Sequence, residues 1–450
     1  MPLSLALVLH ILLAIEIIFI ESYKRKRGLV FFDFLTMANI FFLLSYSLTP
    51  IFYLCFSDTS ILLDTEYVFQ IATISFFAYQ MLLLGWIATG SLRFRVKKPL
   101  PTSLLENKWY RLSIIFLIIA FLMMILLILD KGGVSGYLSG ALARYSFEDA
   151  DAGSFAFLSR LISIIPFLTT IFFYFLIKKP VGLSKKAITV LFAISLSLSV
   201  LQAFGSASRG GLIRLFLLLG LVYVLVYRSI KLLPTMLISI LAILFITYGK
   251  QTFYAVSNYA AYGESFSDSF DYLDKIRSNA SGEDDNVFFR EFAHPYRSMD
   301  TALRYKNSGY IYTYFSDFIW SPFRIIPSRY TSIFFERPEP IHNLNTQLTT
   351  GVPDSGGMPP GLIASFYYSL GVLGVALGSF FYGLIGRRVN IWLQRMMQTS
   401  KIYSVLFAFF AYYYGFFIAN GDPNIYIYYL ITPSLFLLGL KFIKPNKQLL

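Results

Sequence analysis

The chain has 450 residues, of which 56% are hydrophobic and only 14% are charged. A soluble chain carries about 25% charged residues, so this composition excludes a soluble, disordered or collagen-like protein and indicates a polytopic membrane protein. The single cysteine, Cys55, excludes an intramolecular disulfide and a cysteine-based zinc or redox centre. The formal net charge of +13 would suggest a nucleic-acid partner in a soluble protein. In a membrane protein the positions of the charges matter more than their sum, and we expect no nucleic-acid partner.

Apolar runs of about twenty residues, the length that crosses a bilayer, recur along the chain. Eleven such runs are found, at 2–20, 32–56, 67–89, 110–129, 155–177, 187–204, 211–227, 232–249, 359–386, 402–420 and 424–443. The first has no basic segment before it and no small-residue cleavage site after it, so it is predicted to be a retained span and not a signal peptide. The predicted fold class is all-α, with about eleven transmembrane helices.

Basic residues concentrate in alternate loops of this arrangement. Twenty-three fall on one side and four in the short loops opposite, which places the N-terminus outside and the C-terminus in the cytoplasm. The predicted organisation is eight transmembrane helices in residues 1–249, a large, partly helical outer loop in 250–357, and three helices in 358–450. Within the loop, the aromatic stretch 310–335 is typical of a segment that lies at the membrane surface, and the polar stretch 278–286 is predicted to be an exposed tip.

The segment GSASRGGLIRL, at 205–215, lies at the outer end of two predicted spans. It carries Arg209 and Arg214 with no acidic residue nearby in sequence, and arginine at membrane depth needs a partner. Glycines let the backbone turn closely, and a helix that starts there offers amide groups to an anion. The pattern favours binding of an anionic ligand, while pairing within the protein or snorkelling is the alternative.

A second arginine cluster is WSPFRIIPSRY, at 320–330 in the outer loop. Arg324 and Arg329 suit phosphate oxygens because a guanidinium offers a fixed fork of donors, and Trp320 and Tyr330 suit the faces of sugars. The alternative is an interface anchor whose arginines reach lipid headgroups. Upstream, Arg290, Arg297 and Arg304 recur every seven residues and would share one face of a helix.

Two of the three histidines, His294 and His342, fall in the predicted outer loop, and His10 lies within the first span as a packed polar residue. His342 is the stronger candidate for a general base, with Asn343 and Asn345 beside it to orient the histidine or a sugar. Alternative bases are the loop carboxylates Asp58, Asp64, Glu66, Glu148, Asp149 and Asp151. No nucleotide-binding, dinucleotide-binding or HExxH motif is found and no metal-ligand spacing is recognised, so we predict no metal and no cofactor.

Three features together resemble Wzy-type O-antigen or oligosaccharide repeat-unit polymerases: the many spans with a large loop late in the chain, SRGGLIRL opening a mid-chain helix, and HNLNTQ leading into PPGLIASFYYSLGVLGVALGSFFYGLIG. The resemblance implies a GT-C-like helical architecture. It also implies a metal-independent glycosyltransferase that polymerises undecaprenyl-diphosphate-linked repeats at the periplasmic face of the bacterial inner membrane. The expected partners are that lipid-linked oligosaccharide, membrane lipid and a polysaccharide chain-length regulator.

Site roles follow from the resemblance together with the residue types. Arg209 and His342 are the predicted catalytic residues. The predicted diphosphate-binding residues are Arg209, Arg214, Arg290, Arg324 and Arg329, and the predicted sugar-binding residues are Trp320, Tyr330, Asn343 and Asn345. Arginines close to the diphosphate would stabilise the negative charge that develops on the leaving oxygens.

Two other functions share many of these features. An O-antigen ligase would transfer the glycan to lipid A-core instead of to another repeat. A glycolipid transporter or flippase would also carry many spans and cationic residues, but the late position of the large loop argues against the inverted repeats of secondary carriers.

Overall fold

The structure is a computed structural model of the 450-residue chain. It describes residues 2–26, 32–56, 67–89, 102–139, 161–179, 182–206, 208–227, 232–270, 287–309, 312–325, 338–351 and 358–442. These described residues are 89% helical and contain no β-strand, which confirms the all-α prediction.

The helices are numbered in chain order. They are α1 (Pro2–Lys26), α2 (Phe34–Leu43), α3 (Thr49–Phe56), α4 (Val68–Ala88), α5 (Thr102–Asp130), α6 (Val134–Ser139), α7 (Ile165–Lys178), α8 (Lys185–Gly205), α9 (Arg209–Tyr227), α10 (Leu232–Tyr262), α11 (Val287–Asn307), α12 (Ser316–Trp320), α13 (Ile341–Thr350), α14 (Leu362–Thr399), α15 (Tyr403–Asn420) and α16 (Pro423–Phe442). A π-helix, Leu44–Leu48, joins α2 to α3, and a 3-10 turn, Ser321–Ile325, follows α12.

Nine candidate membrane spans are present among the described residues. They are Leu3–Lys26, Phe34–Phe56, Val68–Ala88, Thr102–Asp130, Lys185–Gly205, Gly210–Tyr227, Leu362–Thr399, Tyr403–Asn420 and Pro423–Phe442, and each coincides with a predicted run. The other two predicted runs fall on α7, which has 14 residues, and on α10, which continues to Tyr262. A polytopic membrane protein is thereby supported, while the number eleven and the GT-C-like architecture stay predictions.

The chain divides into two compact units, and the predicted organisation into membrane helices and an outer loop stays a prediction. The first unit contains Met1–Arg95, Asn286–Gln394 and Phe410–Tyr428, and the second contains Val96–Asp285, Arg395–Phe409 and Tyr429–Leu450. The predicted outer loop of 250–357 is therefore shared between the two units. Its later part joins the first unit because α11 packs directly on the first spans.

The position of α11 in the first unit is set by a buried polar contact. His10 of α1 is fully buried, and its Nδ1 donates to the Tyr46 carbonyl in the π-helix at 2.9 Å. Its Nε2 lies 3.1 Å from the Tyr296 hydroxyl of α11, and the rings of Phe52 and Phe289 stack at 4.3 Å. Since Tyr46 lies near the middle of the candidate span Phe34–Phe56, α11 reaches the level of the middle of that span.

Helix α14 is broken near its start. Leu370 has φ −152° and Gly371 has φ +63° with ψ −143°, neither of which is helical. The freed carbonyls of Tyr368 and Ser369 accept hydrogen bonds from the amides of Thr313 and Tyr314, both at 3.0 Å. This pairing satisfies backbone groups that the break would otherwise leave bare.

The part of α14 before the break folds back on the part after it. The backbone and ring of Phe366 lie so close to Gly374 and Gly378 that a Cβ at either glycine would overlap them. In a straight helix these residues would be separated by two to three turns, so the direction of the chain reverses at the break. The predicted span 359–386 is thus a short returning helix followed by a long one.

A second close approach fixes the long part of α14 against α4. A Cβ at Gly85 would overlap the Phe380 carbonyl, and a Cβ at Gly383 would overlap the Leu82 carbonyl. Small residues at such a crossing let two backbones pack tightly, which is how helices in membranes commonly associate. The crossing holds the long part of α14 as a rigid support for the returning part.

At the other end of the first unit a charged cluster joins α1, α2 and α4. Lys24 contacts Glu21 at 3.0 Å and Asp33 at 2.7 Å, and Asp33 also accepts from the Thr36 amide to begin α2. Asn39 donates to Glu21 at 2.7 Å and accepts from the Tyr79 hydroxyl at 3.0 Å. These partners allow ionised groups to remain in a largely buried position.

The second unit is built from consecutive helix pairs. Helix α7 packs along α8, and α9 packs along α10. Between α5 and α7, the buried Tyr174 hydroxyl donates to Glu106 at 2.7 Å. A Cβ at Gly205, the last residue of α8, would overlap the ring of Tyr137 in α6.

Candidate functional site

The site of the first unit is centred on the short turn between α15 and α16. Helix α15 ends at Asn420, Gly421 takes φ +66°, and α16 begins at Pro423. The Asp422 carboxylate accepts the Asn424 amide at 2.8 Å, so Asp422 caps α16 while proline occupies the first helical position. Gly421 touches the backbone of Gly361, which leaves no room for a side chain.

A ring contact gives the level of this turn along α14. The Phe417 and Tyr382 rings are 5.8 Å apart, and α15 ends shortly after Phe417. The turn is therefore level with the neighbourhood of Gly378, about 10 Å along α14 from its break. Leu373, which lies beyond that level, is 60% exposed and apolar. The turn is therefore recessed within the unit: its residues Asn420 and Asp422 are buried.

His342 meets this turn from α13. Its Nδ1 lies 2.7 Å from Asp422 Oδ2, with the histidine side chain 25% exposed and the carboxylate fully buried. The distance is that of an ion pair, although the ring N–H and the oxygen are not aligned as a hydrogen bond. Among the described residues none forms a hydrogen bond or an ion pair with Nε2. The carboxylate thus occupies one ring nitrogen and leaves the other for a ligand.

A second buried carboxylate, Asp317 of α12, lies beside the first. The Asn424 side chain donates to Asp317 at 3.1 Å and to Asp422 at 3.0 Å, so one amide group joins the two acids. Arg324 Nη2 contacts Asp317 at 3.1 Å and also donates to the Pro338 carbonyl. Two carboxylates that are almost fully buried are therefore matched by one arginine and one histidine.

Asp317 also fixes the start of α13. Its carboxylate accepts the backbone amide of Ile341, the first residue of that helix. Burial raises the pKa of Asp317, and the charge of Asp422 adds to the increase, while Asn424, Arg324 and the Ile341 amide oppose it. Because His342 follows Ile341 directly, the placement of the histidine depends on this acid.

Besides His342 Nδ1 and Asp422 Oδ2, which face each other, two further buried polar atoms in this cluster have no hydrogen-bond partner among the described residues. They are Arg324 Nε and Asn424 Oδ1. Buried polar atoms are rarely left unpaired unless water or a ligand completes them. One donor and one acceptor at this point suit a polar ligand.

His294 reaches the same turn from α11. Its Nε2 donates to the Ala419 carbonyl at 3.0 Å. Helices α11 and α13 lie side by side, with Asn345 donating to Ser298 at 2.9 Å and Thr301 lying 3.2 Å from Thr349. The two histidines predicted from the outer loop are thereby brought to one short turn, by different helices.

The predicted sugar-binding residues have different surroundings. Asn345 is fully buried and satisfied: it donates to Ser298 and the Met358 carbonyl and accepts from the Tyr368 hydroxyl. Asn343 is half-buried in the first turn of α13, and Trp320 is half-buried with its ring 5.7 Å from that of Phe323. The contacts of Asn345 are structural, whereas Asn343 and Trp320 have surface to offer a ligand.

Arg209 and Arg214 belong to the second unit. Arg209 is the first residue of α9, so this helix starts where the sequence predicted. The Gly211 amide donates to the Ser208 hydroxyl at 3.1 Å, so one of the amides expected to be open to an anion is already capped. Arg214 packs over the Tyr429 ring, with its guanidinium carbon 4.4 Å from the ring centre.

The other predicted residues are less fully described. Arg290 lies in the first turn of α11, and Arg297 and Arg304 lie in the same helix. Within that series, Arg304 pairs with Asp300 at 3.0 Å. Arg329, Tyr330 and the six alternative loop carboxylates lie outside the described residues. Within the described part of the chain, no group of three or more His, Cys, Asp or Glu side chains is arranged to hold a metal ion.

Three residues of the site, Asp317, Asp422 and Asn424, were not predicted from sequence. The signal for two of them is NGDPN at 420–424, where Asn-Gly and Asp-Pro mark a tight turn and an acid stands between two apolar helices. An ionisable residue in such a place indicates a functional site. Asp317 has no comparable local signal.

Comparison with protein-family models, curated proteins and solved structures finds no match for this chain.

Proposed function

We propose that the chain is a metal-independent glycosyltransferase that polymerises undecaprenyl-diphosphate-linked oligosaccharide repeats. The growing glycan passes from its lipid diphosphate to a sugar hydroxyl of the incoming unit. The proposed location is the bacterial inner membrane, with the site facing the periplasm. The proposed partners are the lipid-linked repeats, membrane lipid and a chain-length regulator.

The observation that carries the proposal is the contact of His342 with Asp422. Transfer to a hydroxyl needs a group that takes the hydroxyl proton, and histidine is the side chain best suited to do so near neutral pH. In the proposed reaction the Nε2 of His342 takes that proton while the carboxylate of Asp422 at Nδ1 stabilises the resulting imidazolium. The carboxylate also holds the ring in place, as acids do for catalytic histidines in other enzymes.

The charges around this pair support the same role. Asp317 and Asp422 are both almost fully buried, and Arg324 compensates one of them. With His342 neutral the group carries one excess negative charge, and with His342 protonated it carries none. Buried charge is costly unless it is paired, so in the proposed transfer Asp422 compensates the charge of the imidazolium that forms on His342.

The arginines provide the second half of the proposed chemistry. Breaking the bond from the sugar to the diphosphate places negative charge on the leaving oxygens, which guanidinium groups stabilise. Arg209 and Arg214 keep this proposed role. Arg324 contacts Asp317, so its proposed role is to hold the loop and to offer its unpaired Nε to the ligand.

A deletion strain tests the proposal against its closest alternatives. Loss of a polymerase leaves single repeats attached to lipid A-core, loss of a ligase leaves none attached, and loss of a flippase prevents repeats from reaching the outer leaflet. We expect single repeats, and restoration of long glycans by the wild-type chain but not by His342→Ala at equal protein level. Unattached repeats in the deletion strain would identify a ligase instead.

A further inference from the structure

The end of α11 that is remote from His294 carries two groups of tyrosine, basic and amide side chains in the first unit. The members of these groups, which we call together the tyrosine surface, are Tyr67, Arg304 and Asn307 in one group and Lys306, Tyr312 and Tyr314 in the other. None of them belongs to the site around Asp422.

The side chains of the tyrosine surface hold one another in place. Lys306 is hydrogen-bonded to the hydroxyls of Tyr312 and Tyr367, and its ammonium lies 5.8 Å from the centre of the Tyr367 ring. The hydrogen bond that Lys306 donates to the Tyr312 hydroxyl is the main cause of the raised pKa of Lys306, so the amine stays charged. The rings of Tyr312 and Tyr314 meet edge to face at 6.4 Å.

The same arrangement recurs around Tyr67. Asn307 donates to the Tyr67 hydroxyl at 3.1 Å, and the Arg304 guanidinium lies 5.9 Å from the centre of the Tyr67 ring. Asn307, Arg304 and Lys306 are exposed, and Tyr314 is 61% exposed. The surface therefore presents aromatic rings and charged or amide donors whose positions are already fixed.

Helix α11 sets the distance between this surface and the recessed turn. His294 reaches the Ala419 carbonyl, and Arg304 to Asn307 lie 10 to 13 residues further along the helix, which is about 15–20 Å at 1.5 Å per residue. The surface also adjoins the break in α14, because a Cβ at Gly371 would lie 2.7 Å from the Tyr312 hydroxyl. A ligand that reaches both places must be elongated.

We propose that the tyrosine surface binds the saccharide chain of the ligand, away from the reacting sugar. This inference rests on the proposed function, and it assigns a position on the protein to the oligosaccharide. A sugar ring has an apolar face and polar edges, and fixed tyrosine rings beside amide and ammonium donors match both. A membrane-surface anchor would also use tyrosine and lysine, but it gains nothing from hydroxyls that are held by Lys306 and Asn307, whereas prearranged donors favour specific binding.

The test measures the affinity of the full-length chain in nanodiscs for the lipid-free repeat-unit oligosaccharide. The oligosaccharide is released from the surface polysaccharide of the encoding organism. Lys306→Met and Tyr314→Ala are each expected to weaken binding roughly tenfold, the loss of one good contact. Tyr259→Ala is the matched control, because Tyr259 is a similarly exposed tyrosine (63%) of the second unit. Tyr314→Ala removes a largely exposed ring and keeps the contacts of Lys306. It therefore tests binding even if Lys306→Met folds poorly.

The outcomes separate this inference from the proposed function. Unchanged affinity in both variants overturns the tyrosine surface, even where the deletion strain shows polymerase loss. Quenching of a fluorophore at position 314 by doxyl-labelled lipid, without any effect of saccharide, also overturns it and identifies a membrane contact. Saccharide binding that both variants weaken supports the surface, including in the case where the deletion strain contradicts a polymerase.

Discussion

Asp422 is the residue on which the proposed chemistry of His342 depends, since it lies 2.7 Å from the ring nitrogen and is fully buried. Asp422→Asn keeps the shape and the cap of α16 but removes the charge. We expect it to lower turnover by about 10²-fold or more, within the scale of general-base catalysis, because a neutral amide stabilises the imidazolium poorly. The measurement is polymer formation from purified lipid-linked repeats across about pH 5–8.

A double variant shows whether the two residues act as one unit. Asp422→Asn combined with His342→Ala is expected to be no slower than His342→Ala alone, because residues that act together are not additive. Asn424→Ala provides the comparison, since it removes an amide shared by both carboxylates without changing charge. Multiplicative losses in the double variant would show that Asp422 acts apart from the histidine.

Asp317 gives the first unit a pH dependence of stability. Burial raises the pKa of its carboxyl above the ordinary value of 3.8, against the opposing effect of Arg324. The folded chain then holds a proton that the unfolded chain has lost, so stability from this group is present below about pH 3.8 and declines as pH rises through the raised pKa. Asp317→Asn should show a smaller decline in melting temperature than wild type between about pH 4 and 7.

The control for this pH dependence is Asp268→Asn, a change of an exposed carboxylate. It should follow the wild-type melting curve at every pH. A decline in Asp317→Asn as steep as that of wild type would mean that another group causes it.

Arg209 is predicted to hold the diphosphate of the donor lipid. Arg209→Ala should abolish polymer, and Arg209→Lys should retain little, because a point charge replaces a planar fork of donors. Polymer length on gels, at matched protein level, is the measurement. Full-length polymer from Arg209→Ala would remove this residue from the proposed site.

At the scale of elements, Gly371 controls the reversal of α14. Its φ of +63° with ψ −143° is a backbone conformation almost restricted to glycine, and a Cβ would lie 2.7 Å from the Tyr312 hydroxyl. Gly371→Ala is expected to destabilise the chain by roughly 1–3 kcal/mol. Thermal unfolding in detergent measures the change.

Gly210 supplies the matched control for that substitution. It lies in α9 without a positive φ, and a Cβ there meets nothing within 4 Å. Gly210→Ala should therefore be neutral or slightly stabilising, since alanine favours a helix over glycine. An equal effect of the two alanines would show that the conformation of Gly371 is unimportant.

The sequence predicted elements well where the signal was local. Apolar runs near twenty residues located α4, α8, α9 and α15 within a few residues, because membrane helices are recognised by length and hydropathy. The break in α14 was missed because the apolar run continues through Leu370 and Gly371. That reversal is decided by contacts distant in sequence, with Thr313 and Tyr314 bonding the freed carbonyls.

The candidate site was predictable in part for the same reason. His342 and His294 stood out as rare titratable residues in an outer segment. Asp317 and Asp422 are ordinary acids in sequence, and only the approach of α12, α13 and the turn before α16 brings them together. The pairing of Arg324 with Asp317 could not be predicted from sequence either. Arg324, which the sequence predicted to bind diphosphate, makes a contact within the protein.

At the scale of the whole molecule, the charge distribution predicts the orientation in the membrane. Cys55 is the only cysteine, so Cys55→Ser gives a background for single labels. Ser281→Cys, outside the described residues, should react with an impermeant maleimide in intact cells because the segment is predicted to be outside. Arg388→Cys should react only after lysis, and the reverse pattern would invert the predicted topology.

The turn at 420–424 also has a consequence for how the protein is made. Chains are synthesised from the N-terminus, so α11, α12 and α13 leave the ribosome well before Asp422 and Asn424 do. Until that turn is in place, His342 lacks its carboxylate and Asp317 lacks the amide that joins it to Asp422. We therefore expect a chain that stops before residue 420 to insert its earlier spans without assembling the cluster around His342 and Asp317.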